Sequence, residues 1–462
     1  MRAEGYRTEL RRLFLLAAPL AAAQAGTQLM GLVDVAVLGR LGARELAGSG
    51  LANALFFAFS IFGMGIVFGV DPLISQALGA GDRMRARRVM WQGMWLGLIV
   101  SAGLTALLLL LSWLFPLMGS KPELVAPART YLLVRTTSVI PFILFFVARA
   151  YLQALGVTRP MLVSMILANI FNLFADILLV FGGSVLPEWT GPLRAIPAMG
   201  VAGAAIATVL CQFLQFFIVA YAVKKVPVDG PIDIHWNAAE VMQAFRIGLP
   251  VALQMGAEIG VFALVGVLAS RLGVLHLAAH QLVIGLASFT FTVALGVAAA
   301  GSVRVGLGVG ARDSIATRIS GHAAFIAGGA FMAVSAMAFA LIPRPLVRLV
   351  TDQENIILAS IPLMLVAAVF QMSDGIQAVG AGVLRGAGDT KYAFVANILG
   401  HWCVGLPVAL LLGFHYDMGI VGLWWGLCAG LTVVAVLLFI RFEKLSARGI
   451  APIEDAPPIV NH

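Results

Sequence analysis

Charge is what this chain has least of. Asp, Glu, Lys and Arg make up 11% of its 462 residues, against about 25% in soluble domains. That shortage excludes an ordinary globular domain with a wetted surface. Cysteine is scarce as well. Cys211, Cys403 and Cys428 all fall inside apolar stretches, with neither metal-ligand spacing nor an exposed pair. They read as buried small hydrophobes, and a disulfide framework is excluded. Histidine offers little. His276 and His280 stand at i and i+4 with no third ligand nearby, which makes them an interfacial pair rather than a zinc site. No metal set or nucleophile–base pair gathers at one depth, which argues against a membrane-embedded enzyme.

What the chain has instead is apolar length. Hydrophobic residues are 61% and mean hydropathy is +0.98, so the solvent is lipid. Apolar stretches long enough to cross about 30 Å of hydrocarbon as helices follow one another. Twelve are predicted, near 13–39, 48–77, 90–117, 130–154, 160–182, 200–223, 244–270, 277–303, 317–342, 357–384, 393–414 and 420–441. The first is too long for a signal-peptide core and lacks a small-residue cleavage site, so it is expected to be the first span. Fifty glycines suit close helix packing in a bilayer. The net charge of +8 could point to nucleic acid, but its distribution points to topology. With the N-terminus in the cytoplasm, Arg2, Arg7, Arg11, Arg12, Arg83, Arg85, Arg87, Arg88, Lys224, Lys225, Arg312, Arg318, Lys391, Arg441, Lys444 and Arg448 share that side, and the other keeps a minority that includes Arg40, Lys121, Arg194 and Arg344. This positive-inside bias places both termini in the cytoplasm of a multi-pass inner-membrane protein. The lipid bilayer is its partner, nucleic acid is not, and a monomer is expected.

The chain is also one half built twice. Residues 13–82 recur in weakened form 231 positions later, half of the chain. Pro19 meets Pro250 (250 − 19 = 231), Arg40-Leu41-Gly42 meets Arg271-Leu272-Gly273, and Leu78–Asp82 meets Val309–Asp313. Duplicated halves in an apolar protein point to an alternating-access transporter. Six spans per half is an even number, so the halves share one orientation and an axis along the membrane normal. The expected organisation is an N-lobe over 1–224, a cytoplasmic loop over 225–240, a C-lobe over 241–446 and a disordered cytoplasmic tail over 447–462. A second polar insertion, 183–197, is expected as an interfacial loop outside. The matching turns LGAGDRMRARR and LGVGARDSIATR are either helix caps followed by topogenic charge, or a gate or hinge on the cytoplasmic side.

A carboxylate inside a bilayer costs several kcal/mol unless protonated, paired or hydrated, so each is a functional candidate. Asp34, Asp176, Glu258 and Asp374 sit well within predicted spans, two in each half. Rise per residue puts Asp34 and Asp176 at a shared depth of about 9 Å from one edge, and Glu258 and Asp374 about 16–18 Å from the other. Asn169, Asn172 and Asp176 stand at i, i+3 and i+7, and Thr208 is on the next span. Carboxylate, amide and hydroxyl oxygens are hard ligands for a small cation, and they also allow a carboxyl to exchange a proton. A buried hydrogen-bond cluster that holds helices together is the structural alternative. Gln24 and Gln28, one turn apart, either line a cavity or glue helices. His401 takes the repeat position of Asn169, as a proton relay or, more simply, a histidine bonded to a backbone carbonyl.

These segments resemble the multidrug and toxic compound extrusion (MATE) family in its NorM-like branch. The resemblance is carried by IGLPVALQMGAEIGVFAL, GSVRVGLGVGARD and QMSDGIQAVGAGVLRGAGDT in the second half. QLMGLVDVAVLGRLG, NIFNLFADILLVFG and MGVAGAAIATVL carry it in the first. It implies an all-α polytopic protein of twelve transmembrane helices, in two six-helix lobes related by pseudo-two-fold symmetry along the membrane normal, with a V shape. It implies a cation-coupled multidrug antiporter that exchanges H⁺ or Na⁺ for organic cations or amphipathic drugs, with no cofactor beyond the coupling ion. By that likeness Asp34, Asn172, Asp176 and Thr208 form the N-lobe coupling set, and Glu258 and Asp374 the C-lobe pair. Gln24, Gln28, Asn169, Phe370 and His401 are candidates for cavity lining. The chain departs from the family pattern at Phe370, where NorM-like members carry a tyrosine, and the missing hydroxyl puts a C-lobe Na⁺ site in doubt. The rival within the superfamily is a flippase for lipid-linked saccharides. It would want a basic cavity, and only Arg135 and Arg149 come near one.

Overall fold

The computed structural model describes residues 2–115, 122–185, 187–228 and 230–455. Among them every regular element is helical. Twelve spans follow in order: Gly5–Gly39, Ala43–Gly79, Arg83–Leu114, a bent pair, Arg159–Phe181, Gly200–Lys225, Ala238–Leu272, Val274–Gly310, Ser314–Leu341, Glu354–Gly386, Thr390–His415 and Gly419–Arg448. The fourth is the bent pair, Pro122–Thr136 with Val139–Ala154, turned by 45° at its break. Each falls on a predicted stretch. The helices run past the apolar limits because polar first and last turns remain helical where water begins.

The chain groups into two compact units. Unit 1 comprises Met1–Gln24, Asp71–Ala86 and Leu249–His462. Unit 2 comprises Ala25–Val70 and Arg87–Gly248. Unit 1 therefore includes two pieces from the first half of the sequence.

Lipid supplies no hydrophobic drive between helices, so small residues that let backbones meet do the packing. In unit 1 the eighth and tenth spans make such a seam. A Cβ on Gly382 would fall against the Ala298 backbone, and one on Gly386 against that of Ser302. The glycines 382 and 386, and the residues 298 and 302 opposite, stand four positions apart, one face of each helix. Around Trp424, a fully buried side chain, Phe370, Leu363, Met364, Leu427 and Leu431 form the apolar core of this unit. The eleventh span carries π-helical turns over Ile398–Gly405 and Leu411–His415, a widening often found at functional sites. In unit 2, Gly203 lies against the Leu179 backbone and Gly48 against Pro127.

Several expectations are corrected here. The tail is helical to Arg448 and continues into a short 3₁₀ turn, Ile453–Asp455, that docks on unit 1; disorder fails over 447–455 because backbone and side-chain partners meet it there. Residues 456–462, also expected to be disordered, lie outside the described residues. His280 is buried rather than interfacial, because its ring accepts a hydrogen bond from Trp424 Nε1 at 3.2 Å. Cys403 is exposed on its span, unlike buried Cys211 and Cys428, and lipid is apolar enough to receive a thiol. The polar stretch after Lys225 is tied down by Gln92, which donates to His235 O and accepts from Asn237 N–H.

Candidate functional site

Two of the acids buried in the spans have an arginine. Glu9 takes a bidentate contact from Arg304 (2.6 and 2.7 Å) and a hydrogen bond from Ser320 at 2.7 Å. Asp71 pairs with Arg385 at 3.5 Å. A charge held this way is satisfied structurally. Among the described residues, Asp34, Asp176, Glu258 and Asp374 form no ion pair. These are the four that sequence periodicity and depth selected.

The structure gathers the first pair in unit 2. Asp34 sits half-buried on the first span. Asn172 Nδ2 donates to its Oδ1 at 3.0 Å, and Thr208 Oγ1 lies 3.2 Å from its Oδ2. Thr208 also reaches Ala204 O at 3.0 Å, so its single proton has two acceptors to choose from. Asp176 is fully buried, next to Asp34 and Asn172, and neither of its oxygens has a well-aligned protein donor. The i, i+3, i+7 spacing along Arg159–Phe181 is what turns Asn172 and Asp176 inward together. Asn169 has a different job. Its amide donates to Gly26 O at 3.0 Å and to Met165 O at 2.9 Å, fastening the first span to the fifth.

Sequence reasoning missed Tyr131 and the role of Arg135 in this centre. Both are buried on the fourth span, and the Tyr131 hydroxyl lies beside Thr208 and within electrostatic range of Asp34 and Asp176. Arg135 donates to Ser138 Oγ at 3.0 Å and stacks 4.3 Å over the Phe56 ring. Their i, i+4 spacing was visible, but they lie where the span is broken, and the apolar pattern there is weak.

The second pair comes together in unit 1. Gln377 and Asn397 both donate to Glu258 Oε2, at 3.1 and 3.3 Å. Asp374 is 5% exposed, one turn before Gln377 on the tenth span and within electrostatic reach of Glu258. Gln377 Oε1 and Asn397 Oδ1 are buried with no protein donor. Neither residue was singled out from sequence, although Gln377 follows Asp374 by three positions. Phe370 is 2% exposed, packed between Phe262 and Trp424 with ring centroids at 6.0 and 5.4 Å. It fills core and offers no oxygen. His401 is fully buried in the π-helical stretch, and neither ring nitrogen has a hydrogen-bond partner. The expected bond to a backbone carbonyl is therefore absent; the ring instead stands against that of Phe262, with centroids 6.1 Å apart. Gln28 is exposed and Gln24 half-buried on the first span.

A chain that sets unpaired acids inside apolar helices long enough to cross a bilayer is a membrane protein, and its relatives give the class, that of multidrug transporters. The chain belongs to the MatE family, which matches residues 19–178 and again 250–411. The two matches begin 231 residues apart (250 − 19 = 231), the offset of the internal repeat. The chain is 34% identical over 454 residues to the probable multidrug resistance protein NorM of Mesorhizobium japonicum, covering 95% of this chain and 94% of the relative. It is 30% identical over 452 residues to the multidrug resistance protein NorM of Photobacterium profundum, covering 96% and 97%. Among solved structures it resembles MATE in complex with MaD3S, with a TM-score of 0.85 at 21% identity over 95% of this chain and 96% of that one. It also resembles a eukaryotic MATE transporter, with a TM-score of 0.82 at 19% identity over 96% and 98%. Those two likenesses show the fold.

Proposed function

We propose that this protein is a cation-coupled multidrug antiporter of the cytoplasmic membrane, exporting organic cations or amphipathic drugs by alternating access. The observation that carries the reading is the sorting of the buried acids. Glu9 and Asp71 have arginines, whereas Asp34–Asp176 and Glu258–Asp374 are like-charged pairs that form no ion pair among the described residues. Two carboxylates side by side in a desolvated site need a shared proton or a bound cation. Loading and unloading that cation gives each centre two states, and differential affinity for those states is what drives coupled transport. Names carried by the relatives support the drug side of the exchange.

For the N-lobe set the proposed ion is H⁺. Asn172 donates to Asp34 Oδ1 and Thr208 stands beside its Oδ2, whereas neither oxygen of Asp176 has a well-aligned protein donor, which makes Asp176 the group to take a proton. Protonation removes charge from the pair and frees the first span, which carries Pro19, to bend. The test is efflux of a fluorescent organic cation from proteoliposomes under separately imposed gradients. A pH gradient should drive it. Robust export driven by Na⁺ alone, at equal pH with a protonophore present, would overturn the proton assignment.

A further inference from the structure

The two duplicated turns meet in unit 1. A Cβ on Gly79 would fall on Leu307 O, and a Cβ on Gly310 would fall on Gln76 O. These positions are one repeat apart (307 − 76 = 231 and 310 − 79 = 231), as are Ser75 and Gly306, which face each other at the same crossing. The ends of the second and eighth spans thus cross about a local two-fold axis, backbone on backbone. The C-terminal segment lies across that crossing. Ile453 N–H donates to Gln76 Oε1 at 2.9 Å, while Gln76 Nε2 donates to Gly386 O at 3.1 Å. Glu454 pairs with Arg85 in the first turn, and Asp455 pairs with Arg312 in the second at 2.9 Å. Pro452, Ile453 and Glu454 wall a cavity of about 70 Å³ together with Ala77 and Gly310.

We propose that Pro452–Asp455 is a latch that straps the two duplicated turns together, holding Asp71–Ala86 on unit 1 and slowing the step in which that segment leaves it. The strap explains why each turn carries an arginine after its glycine end, beyond what topology requires. It spends one backbone hydrogen bond and two largely exposed ion pairs. Together these are strong enough to bias an equilibrium by about tenfold and weak enough to break in every cycle. Gln76 is the pivot, because its amide joins tail, second span and tenth span at once. The kinetic part of the proposal rests on the alternating-access reading above.

The test uses the purified chain with Cys211, Cys403 and Cys428 replaced by alanine and a reporter at Ala77→Cys, a position 2% exposed beneath the strap. Ending the chain after Ala451, or the single change Glu454→Arg, should raise the rate of maleimide labelling by about tenfold, the size expected for losing these contacts. Arg85→Glu combined with Glu454→Arg should restore protection, which a merely unfolded tail would not do. Ethidium export in proteoliposomes should speed up in the truncated chain. Unchanged labelling in both variants would overturn the docking itself. Faster labelling with unchanged export would overturn the kinetic role. Faster labelling in a protein that exports nothing in any form would retain the strap and sink the transport reading instead.

Discussion

A single methyl placed on Gly310 tests the crossing of the duplicated turns most sharply. Built there, the Cβ would stand 2.6 Å from the Gln76 carbonyl carbon and 2.7 Å from its Cα, with the oxygen closer still. Carbon atoms rest comfortably at about 3.5–4.0 Å, so the two helices must separate by about 1 Å to admit it. Every atom in the way is backbone, and no side chain can rotate aside. Overpacking of this kind costs about 1–3 kcal/mol and sometimes more, and a clash with a rigid helix belongs at the upper end. Alanine is also favoured over glycine within a helix by about 0.8–1.0 kcal/mol, which offsets only part of the loss.

Gly329 provides the control. It lies inside the ninth span, where an added Cβ would meet nothing within 4 Å, so Gly329→Ala should keep the helix-propensity gain without the clash. Thermal unfolding in detergent, followed by intrinsic fluorescence, should show Gly310→Ala lowered by about 2 °C and Gly329→Ala unchanged or raised. Gly79→Ala should behave like Gly310→Ala, because it meets Leu307 in the mirrored way. Equal unfolding midpoints for Gly310→Ala and Gly329→Ala would refute the crossing.

Other outcomes follow from the two carboxylate centres and the topology. Glu258→Gln and Asp374→Asn should each leave expression near normal and lower drug export by at least about fivefold, the lower end of common coupling energies; full export by both would remove the pair from the mechanism. Asp34→Asn should give a folded protein that fails in pH-driven export, checked by dye efflux at matched protein levels; export equal to the parent would dismiss Asp34 as coupling residue. A cysteine at Ile232, an exposed position in the connection between the sixth and seventh spans, should react with an impermeant maleimide only from the cytoplasmic side, and labelling from outside would reverse the topology.

Spans and the four acids without ion pairs were legible in the sequence for the same physical reason. Lipid enforces long apolar runs and makes every unpaired charge conspicuous. What stayed hidden depends on which helices touch. Glu9 reads as a polar lead-in, and only packing reveals Arg304 and Ser320 around it. Gln377 and Asn397 are ordinary amides until two distant spans bring both to one oxygen of Glu258. Ile453 sits in a Pro-rich stretch that composition assigns to disorder, and a single backbone N–H facing Gln76 is enough to place it.

The choice of coupling ion shows what that hidden layer changes. Read from sequence, Phe370 deprives the C-lobe centre of a hydroxyl and counts against Na⁺. The structure places Phe370 in the apolar core, so the residue at that position contributes no ligand in this chain. It also supplies replacements. Gln377 Oε1 and Asn397 Oδ1 are buried and without donors, on the same two side chains whose nitrogens hold Glu258. A proton needs one lone pair, whereas a hard cation needs several oxygens converging. The unit 2 centre also holds free oxygens, Asn172 Oδ1 and both of Asp176, so the proton proposed there rests on the like-charged pair and not on a shortage of ligands. The unit 1 centre, with Glu258, Asp374 and two amide oxygens, has the makings of either. Loss of the tyrosine hydroxyl therefore has no bearing on a proton in unit 2, and it weakens the case for Na⁺ in unit 1 less than the sequence alone implied.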